Sequence, residues 1–445
     1  PDQQRAIDLF TRMVGVRAQE WSDDDREVVG RIVDRLDRLP LAIRYAAARV
    51  GEFELVDIEA RLGRDPNLLE GAGDDRQAGL LGAVRWTWDS LPAWQRDVLR
   101  QLTVFEDGFR SEAAAAVLDL RHLAGRPPVP VVLQALVDRC VVRRVRQPSG
   151  TRYWLYSAVD MVARETIDDA VALRGASDRH RDHFAEWGGA MTAGPRTRLK
   201  LERIEIEWRN LEAVVGRYPG SAEAAQAVLC MGAVLAVRGP ADRWRDRLDS
   251  ALAAVKDPGL RARLLVARGQ LSLQMGWDDL GLHALQRAAA TDPDTVDPGV
   301  LGRAHGALAC AHAFTGQADR AVSSVNRSLA IAREAWDPWL QAKARQLSSW
   351  ALAMTGHLRE ARAHLRRVIE QFHDMEDHVE EGASLAMLGW VDNNLGEVDE
   401  ARASLLAARD LAMSGQSSRV SVPDVLMQLA GLEHDQGNLD AAEEA

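Results

Sequence analysis

Apolar residues in the second half of the chain recur at helical spacing, and the helical runs are cut by short polar breaks at a steady interval. Each break carries a glycine, at Gly276, Gly316, Gly356, Gly396 and Gly437, in steps of 40, 40, 40 and 41 residues. Five positions after each glycine stands a small residue: Gly281, Ala321, Ala361, Ala401 and Ala442. Seven positions before it stands another: Gly269, Ala309, Ser349, Gly389 and Ala430. Nine positions after the first four comes a larger apolar residue, Leu285, Val325, Leu365 or Leu405. The pattern predicts antiparallel helix pairs. The glycine stops the first helix, small side chains let the axes approach, and the larger residue fills the groove between hairpins. A fainter unit precedes these, with Gly232 and Gly239 in the same relation and Trp244 where the small residue would stand.

The unit resembles a tetratricopeptide repeat, whose usual length is about 34 residues. The period of 40 implies helices longer by nearly a turn, and Pro293 falls where that family closes its second helix. The last unit is cut short at Ala445, so further repeats or a cap are expected in a longer protein. Arrays of this kind bury each hairpin against its neighbours and expose a long concave face. The resemblance implies a protein or peptide partner there; a scaffold without a specific pocket is the other reading. Trp336, Trp339, Trp350 and Trp390 fall among the repeats, either as core packing or as aromatic anchors for that partner.

The first half reads differently. Residues 5–17 form one amphipathic helix, with Ile7, Leu9, Phe10, Met13 and Val14 on its apolar side. Ser22 caps a second helix whose first turn is acidic (Asp23, Asp24, Asp25). Leu39 and Pro40 break the chain before an alanine-rich helix, and proline suits a first helical turn. Helices are predicted over 80–90, 93–102, 111–118 and 130–139, and then CVVRRVR and TRYWLY flank a QPSG turn as a β-hairpin. Helices followed by a two-stranded wing describe a winged helix. Trp86, Trp88 and Trp94 read as its core anchors.

LDRLPLAIRYAAARV is similar to a signature of the STAND signal-transduction ATPases, which include plant NB-ARC proteins and large bacterial regulators. AVRWTWDSLPAWQRDVLRQLTVFEDGF and LVDRCVVRRVRQPSGTRYWLYSAVDMVARE resemble the segments that follow it, and RHRDHFAEW with IEIEWRNLEAVV resembles the connector before the repeats. The resemblance covers residues 1 to about 215 and runs on into the repeats. It implies a mainly α chain in four parts: a helical domain (1–76), a winged helix (77–165), a helical connector (166–225) and a tetratricopeptide-like solenoid (226–445). It further implies that Pro40 packs on the adenine of ATP or ADP held by an upstream nucleotide-binding domain. The family glycine before that proline is Arg38 here, and Ser157 or its neighbours stand where NB-ARC proteins carry a nucleotide-sensing histidine. Regulation is the implied role, with the repeats sensing an inducer and homo-oligomerisation following activation.

Composition narrows this further. No G-x-x-x-x-G-K-[ST] loop occurs, and none of the three lysines (Lys200, Lys256, Lys343) follows a glycine-rich turn. This part is therefore expected to hold no cofactor and not to act as an enzyme. The net charge of −11 argues against a nucleic-acid clamp. Arg143, Arg144, Arg146 and Arg152 make the wing basic, but the helix that would read DNA, VPVVLQALVDR, is largely apolar. Packing on the nucleotide domain is preferred to DNA binding. Cys140, Cys230 and Cys310 are too scattered for a disulfide framework, and no apolar run suggests a membrane span; a cytoplasmic setting is expected. His180 and His183, and His373 and His378, lack a third ligand at useful spacing, so no metal site is expected and all four read as solvated.

Overall fold

The computed structural model describes residues 3–15, 21–36, 38, 40–62, 80–121, 123, 125, 127–147, 150–167, 170–238, 241–274, 279–414 and 422–436. The chain divides into two units, Pro1–His183 and Phe184–Ala445. The architecture is mainly α, with one two-stranded sheet among the described residues. None of the described helices is long and apolar enough to cross a membrane.

The first unit begins with α1 (Gln3–Val14), α2 (Asp23–Arg35), α3 (Pro40–Ala48) and α4 (Leu55–Arg61). Ser22 caps α2 as expected, in a reciprocal box: its hydroxyl accepts from the Asp25 amide at 3.1 Å, and Asp25 accepts from the Ser22 amide at 2.9 Å. On α1, Ala6 and Phe10 are buried, while Met13, expected on the apolar side, is 49% exposed. Arg38 sits in the left-handed region at φ 56°. Left-handed backbone costs an L-residue about 1–2 kcal/mol.

There follow α5 (Leu80–Ser90), α6 (Ala93–Leu102), α7 (Ser111–Val117), α8 (Val129–Asp138), β1 (Val142–Gln147), β2 (Gly150–Leu155) and α9 (Ser157–Glu165). The strands pair antiparallel from Val142↔Leu155 to Gln147↔Gly150, with residues 148–149 of the QPSG turn outside the described set. Trp88 is buried, but Trp86, expected in the core two residues away, is exposed because it points off the opposite side of α5. The Ser157 hydroxyl donates to the Arg35 carbonyl and so joins the start of α9 to the end of α2.

Helix α10 (Ala170–Thr192) runs from the first unit into the second. His180 on it is buried and meets Phe105 edge-on at 5.2 Å, which corrects its reading as a solvated histidine. The second unit continues with α11 (Arg198–Ile206) and α12 (Trp208–Arg217). Five hairpins follow among the described residues: α13 (Ala222–Arg238) with α14 (Ala241–Ala254), α15 (Pro258–Gln274) with α16 (Asp279–Ala289), and α17 (Pro298–Phe314) with α18 (Ala318–Glu334). The last two are α19 (Pro338–Met354) with α20 (Leu358–Asp374), and α21 (His378–Asn394) with α22 (Val398–Met413); α23 (Val422–Asp435) comes after them. Helices α17 to α21 are each 17 residues long, as the 40-residue period requires.

The periodic residues that are described account for the turns and the close contacts. Gly316, Gly356 and Gly396 adopt φ of 71°, 87° and 82°. After α17, the Gly316 amide donates to Ala313 and the Gln317 amide to His312, at 3.1 and 2.8 Å, and the next two breaks repeat both bonds. Gly276 and Gly437 lie outside the described residues. The small and large positions meet within a hairpin: a Cβ on Gly269 would lie 2.3 Å from Leu285 Cγ, and one on Gly389 2.5 Å from Leu405 Cγ. In the first hairpin the Trp244 ring lies against Gly232, where a Cβ would come within 2.3 Å of it. The missing side chain at Gly232 leaves the room that the large ring there requires.

Trp336 also takes a left-handed conformation, at φ 53°, and is 89% exposed. Arg38→Gly and Trp336→Gly are each expected to stabilise their unit by about 1 kcal/mol, by relieving backbone strain. A thermal melt of each variant against the parent checks this.

Candidate functional site

The first helices of the hairpins carry a second ladder with the same 40-residue step. Asp257, Asp297, Asp337 and Asp377 cap α15, α17, α19 and α21, accepting backbone amides at 2.6, 2.7, 3.1 and 3.2 Å. Six positions on from the first three stand Arg263, Arg303 and Lys343. A fixed N-cap and a fixed rise along the helix place these cations on one face of the stacked first helices. The Arg263 guanidinium donates to Gln226 at 2.6 Å, reaching back to α13. Arg303 has a buried Nε without a hydrogen-bond partner among the described residues. Burial, with Arg263 and Arg196 nearby, pulls Arg303 down to about 10, which leaves it charged at neutral pH.

At the α19–α21 end the ladder becomes a buried charge network. Glu380 stands where Leu340 stands one repeat earlier, and its carboxylate accepts from Lys343 at 2.5 Å. Gln346 accepts from Lys343 at 2.8 Å and donates to Ser384 at 2.9 Å. The Trp339 indole N–H donates to Asp377 at 2.8 Å. Burial opposes the charge on Glu380, yet Lys343 and Arg196 together hold its carboxyl below the ordinary value. Burial likewise pulls Lys343 down, with Glu380 opposing.

A segment far upstream in the chain completes the network. Between α10 and α11, the Arg196 amide donates to Asp377 at 2.8 Å, and its guanidinium lies 3.5 Å from Glu380. Lys200 donates to the Ala193 carbonyl at 2.6 Å. Residues of 191–204 share a cavity of about 100 Å³ with α13, α15, α17 and α19; Arg196, Lys200, Arg263, Arg303, Trp244 and Trp339 are among its lining. The segment therefore lies as a strap along the first-helix face. A cavity of about 380 Å³ opens beside it at the starts of α15 and α17, between Gln226, Asp257, Arg263 and Asp297.

Of the four tryptophans singled out from the sequence, only Trp339 joins this network. Trp350 is half-buried against Phe314, with ring centroids 4.4 Å apart. Trp390 packs on the α19–α21 core, and Trp336 is exposed outside the cavity. Pro40 opens α3, and its side chain lies outside the described residues. Arg152, counted in the basic wing, is instead buried; its guanidinium donates to the carbonyls of Asp107 and Gly108 at 2.9 and 3.1 Å. Arg143 lies over the Trp154 ring, and Arg144 donates to Gln134.

His373 and His378 share a carboxylate neighbour that their spacing in the sequence did not bring out. Glu381, one turn into α21, is buried and meets the Nδ1 of His373 at 3.0 Å and that of His378 at 2.7 Å. The three lie together because a short left-handed turn at Glu376, φ 56°, folds the end of α20 back onto the start of α21.

The fold defined here is a tetratricopeptide-like solenoid joined to a smaller, mainly helical unit with one hairpin. No family model matches the chain. It is similar to a STAND protein with a tetratricopeptide-repeat sensor from Pyrococcus horikoshii: TM-score 0.52, 13% identity, covering 100% of this chain and 58% of that one. It is 27% identical over 313 residues to a Mycobacterium tuberculosis protein provisionally named an HTH-type transcriptional regulator, covering 65% of this chain and 35% of that protein. An uncharacterized M. tuberculosis protein is 30% identical over 200 residues, 42% of this chain and 49% of its own length. The chain thus spans about a third of the first of these relatives and about half of the second.

Proposed function

We propose that this chain is the regulatory part of a STAND-type signalling protein, in which the repeats bind a partner or inducer and the helical and winged-helix parts restrain an upstream nucleotide-binding domain. The observation that carries this reading is the strap. The first-helix face, where a solenoid of this kind takes its ligand, is held by the chain's own residues through Arg196 on Asp377 and Glu380. With the strap removed, Glu380 keeps Lys343 and Asp377 keeps the Trp339 indole, but both lose the arginine. A partner that takes the strap's place is therefore one that presents a basic side chain there. The strap continues directly from α10, so its release would be felt at the start of the second unit. The coupling is a population shift, and the partner must prefer the strap-released state.

The chain contributes no catalytic step in this reading. It carries no lysine-bearing phosphate loop, so by itself it does not fit ATP or ADP, and Pro40 would meet adenine only alongside the upstream domain. Control of transcription, in the name of the mycobacterial relative, is proposed to lie with the longer protein. The burial of Arg152 and the apolar face of α8 speak against DNA binding through the hairpin, although Arg144 and Arg146 stay exposed.

Arg196→Glu places two carboxylates against a third and loosens the strap. The full chain carrying it is expected to retain the native partner from lysate about tenfold more strongly than the parent, a gain equal to about 1.4 kcal/mol of strap restraint. Equal retention by both would leave the repeats a plain protein-binding scaffold without a switch.

A further inference from the structure

We infer that His373, His378 and Glu381 form a binding site for a divalent transition metal of the zinc class, set at the turn between α20 and α21. One ligand atom from each of the three lies within 4.8 Å of the other two. Both imidazoles turn Nδ1 toward the same carboxylate, His373 to Oε1 at 3.0 Å and His378 to Oε2 at 2.7 Å, so the three donor groups are already gathered in the metal-free arrangement. A tetrahedral zinc with bonds of about 2.0–2.2 Å holds its ligands roughly 3.3 Å apart. The two imidazole–carboxylate distances must therefore open by a few tenths of an ångström, while the donors now up to 4.8 Å apart close toward the same spacing. His373, whose side chain is 68% exposed, is free to give that room. Each neutral imidazole moves its proton to Nε2 and presents the Nδ1 lone pair.

The donor set selects the metal. Two imidazoles and one carboxylate suit zinc, cobalt and nickel, whereas magnesium and calcium require a shell of oxygens. Three protein ligands leave a fourth position for water or for a side chain of a partner. The Asp377 carboxylate caps α21 within the same turn, and Glu381 is buried. The bound ion would tie the last turn of α20 to the first turn of α21. Asp377, which holds both Arg196 and Trp339, lies between the ligands, so the metal would brace one wall of the network described above.

Cobalt(II) titrated into the untagged full chain is the direct test. The expected result is one equivalent of tetrahedral-type visible absorption, displaced by zinc and not by magnesium or calcium. His373→Gln, His378→Gln and Glu381→Gln should each weaken binding at least about tenfold, while His283→Gln, on exposed surface elsewhere, leaves it unchanged. His373 is exposed, so loss of the signal in His373→Gln cannot come from misfolding. Absence of the absorption in the parent, or an absorption that survives all three substitutions, overturns the site.

Discussion

Replacing Lys343 by methionine is expected to destabilise the repeat unit by about 3–5 kcal/mol, the largest effect of any single side chain outside the hydrophobic core. Methionine fills the same space, so the loss is electrical: Glu380 remains buried, 3.5 Å from Arg196 but without the ammonium that now sits 2.5 Å away. Removing both charges in Lys343→Met with Glu380→Met should recover most of the stability, because two buried ions are exchanged for apolar contact. A double-mutant cycle on thermal midpoints separates the pair from its surroundings. The pH dependence has a definite sign. A carboxyl held below its unfolded value, about 4.3 for glutamate, contributes stability that is complete above that value and is lost as pH falls toward the folded one. The parent should therefore lose stability at acid pH more steeply than the doubly substituted chain.

The second large effect lies in the hairpins. Gly269→Val is expected to cost about 3 kcal/mol, since even its Cβ would stand 2.3 Å from Leu285 Cγ in a closely packed contact. The chain itself indicates the remedy. One repeat later the same two positions are Ala309 and Val325, packed in one cluster: the small residue has grown and the large one has shrunk. Gly269→Ala combined with Leu285→Val should accordingly melt close to the parent. Gly269→Ala alone should melt lower, and equal midpoints for the two would refute the size match.

These contacts explain what could be read in advance. A helix pair that approaches closely must place a small and a large residue at a set distance along the chain, so the period, the hairpins and their length were legible. The β-hairpin was legible for a similar reason, as β-prone runs flanking a turn. The ladder of Asp257, Asp297, Asp337 and Asp377, with Arg263, Arg303 and Lys343 six residues on, was present in the same text but obscured, since the first three aspartates stand before proline, which also reads as an ordinary helix start. The strap left no such trace. Arg196 and Asp377 lie 181 residues apart, and nothing local in either sequence names the other. Arg152, His180 and Glu381 were misread or passed over for a related reason. Each is a polar residue whose burial depends on a neighbour brought in by tertiary packing: the Asp107–Gly108 turn, Phe105, and the fold-back at Glu376.

The shared step of the glycine turn, the capping aspartate and the size-matched pair bears on how such a chain can change its length. A recombination joining the junctions between neighbouring hairpins deletes or inserts one whole unit and keeps each turn, cap and size-matched pair together. A crossover inside the first hairpin is restricted, because its indole fits only against a glycine: the helix carrying Trp244 can be joined to a first helix bearing Gly269 or Gly389, but not to one bearing Ala309 or Ser349.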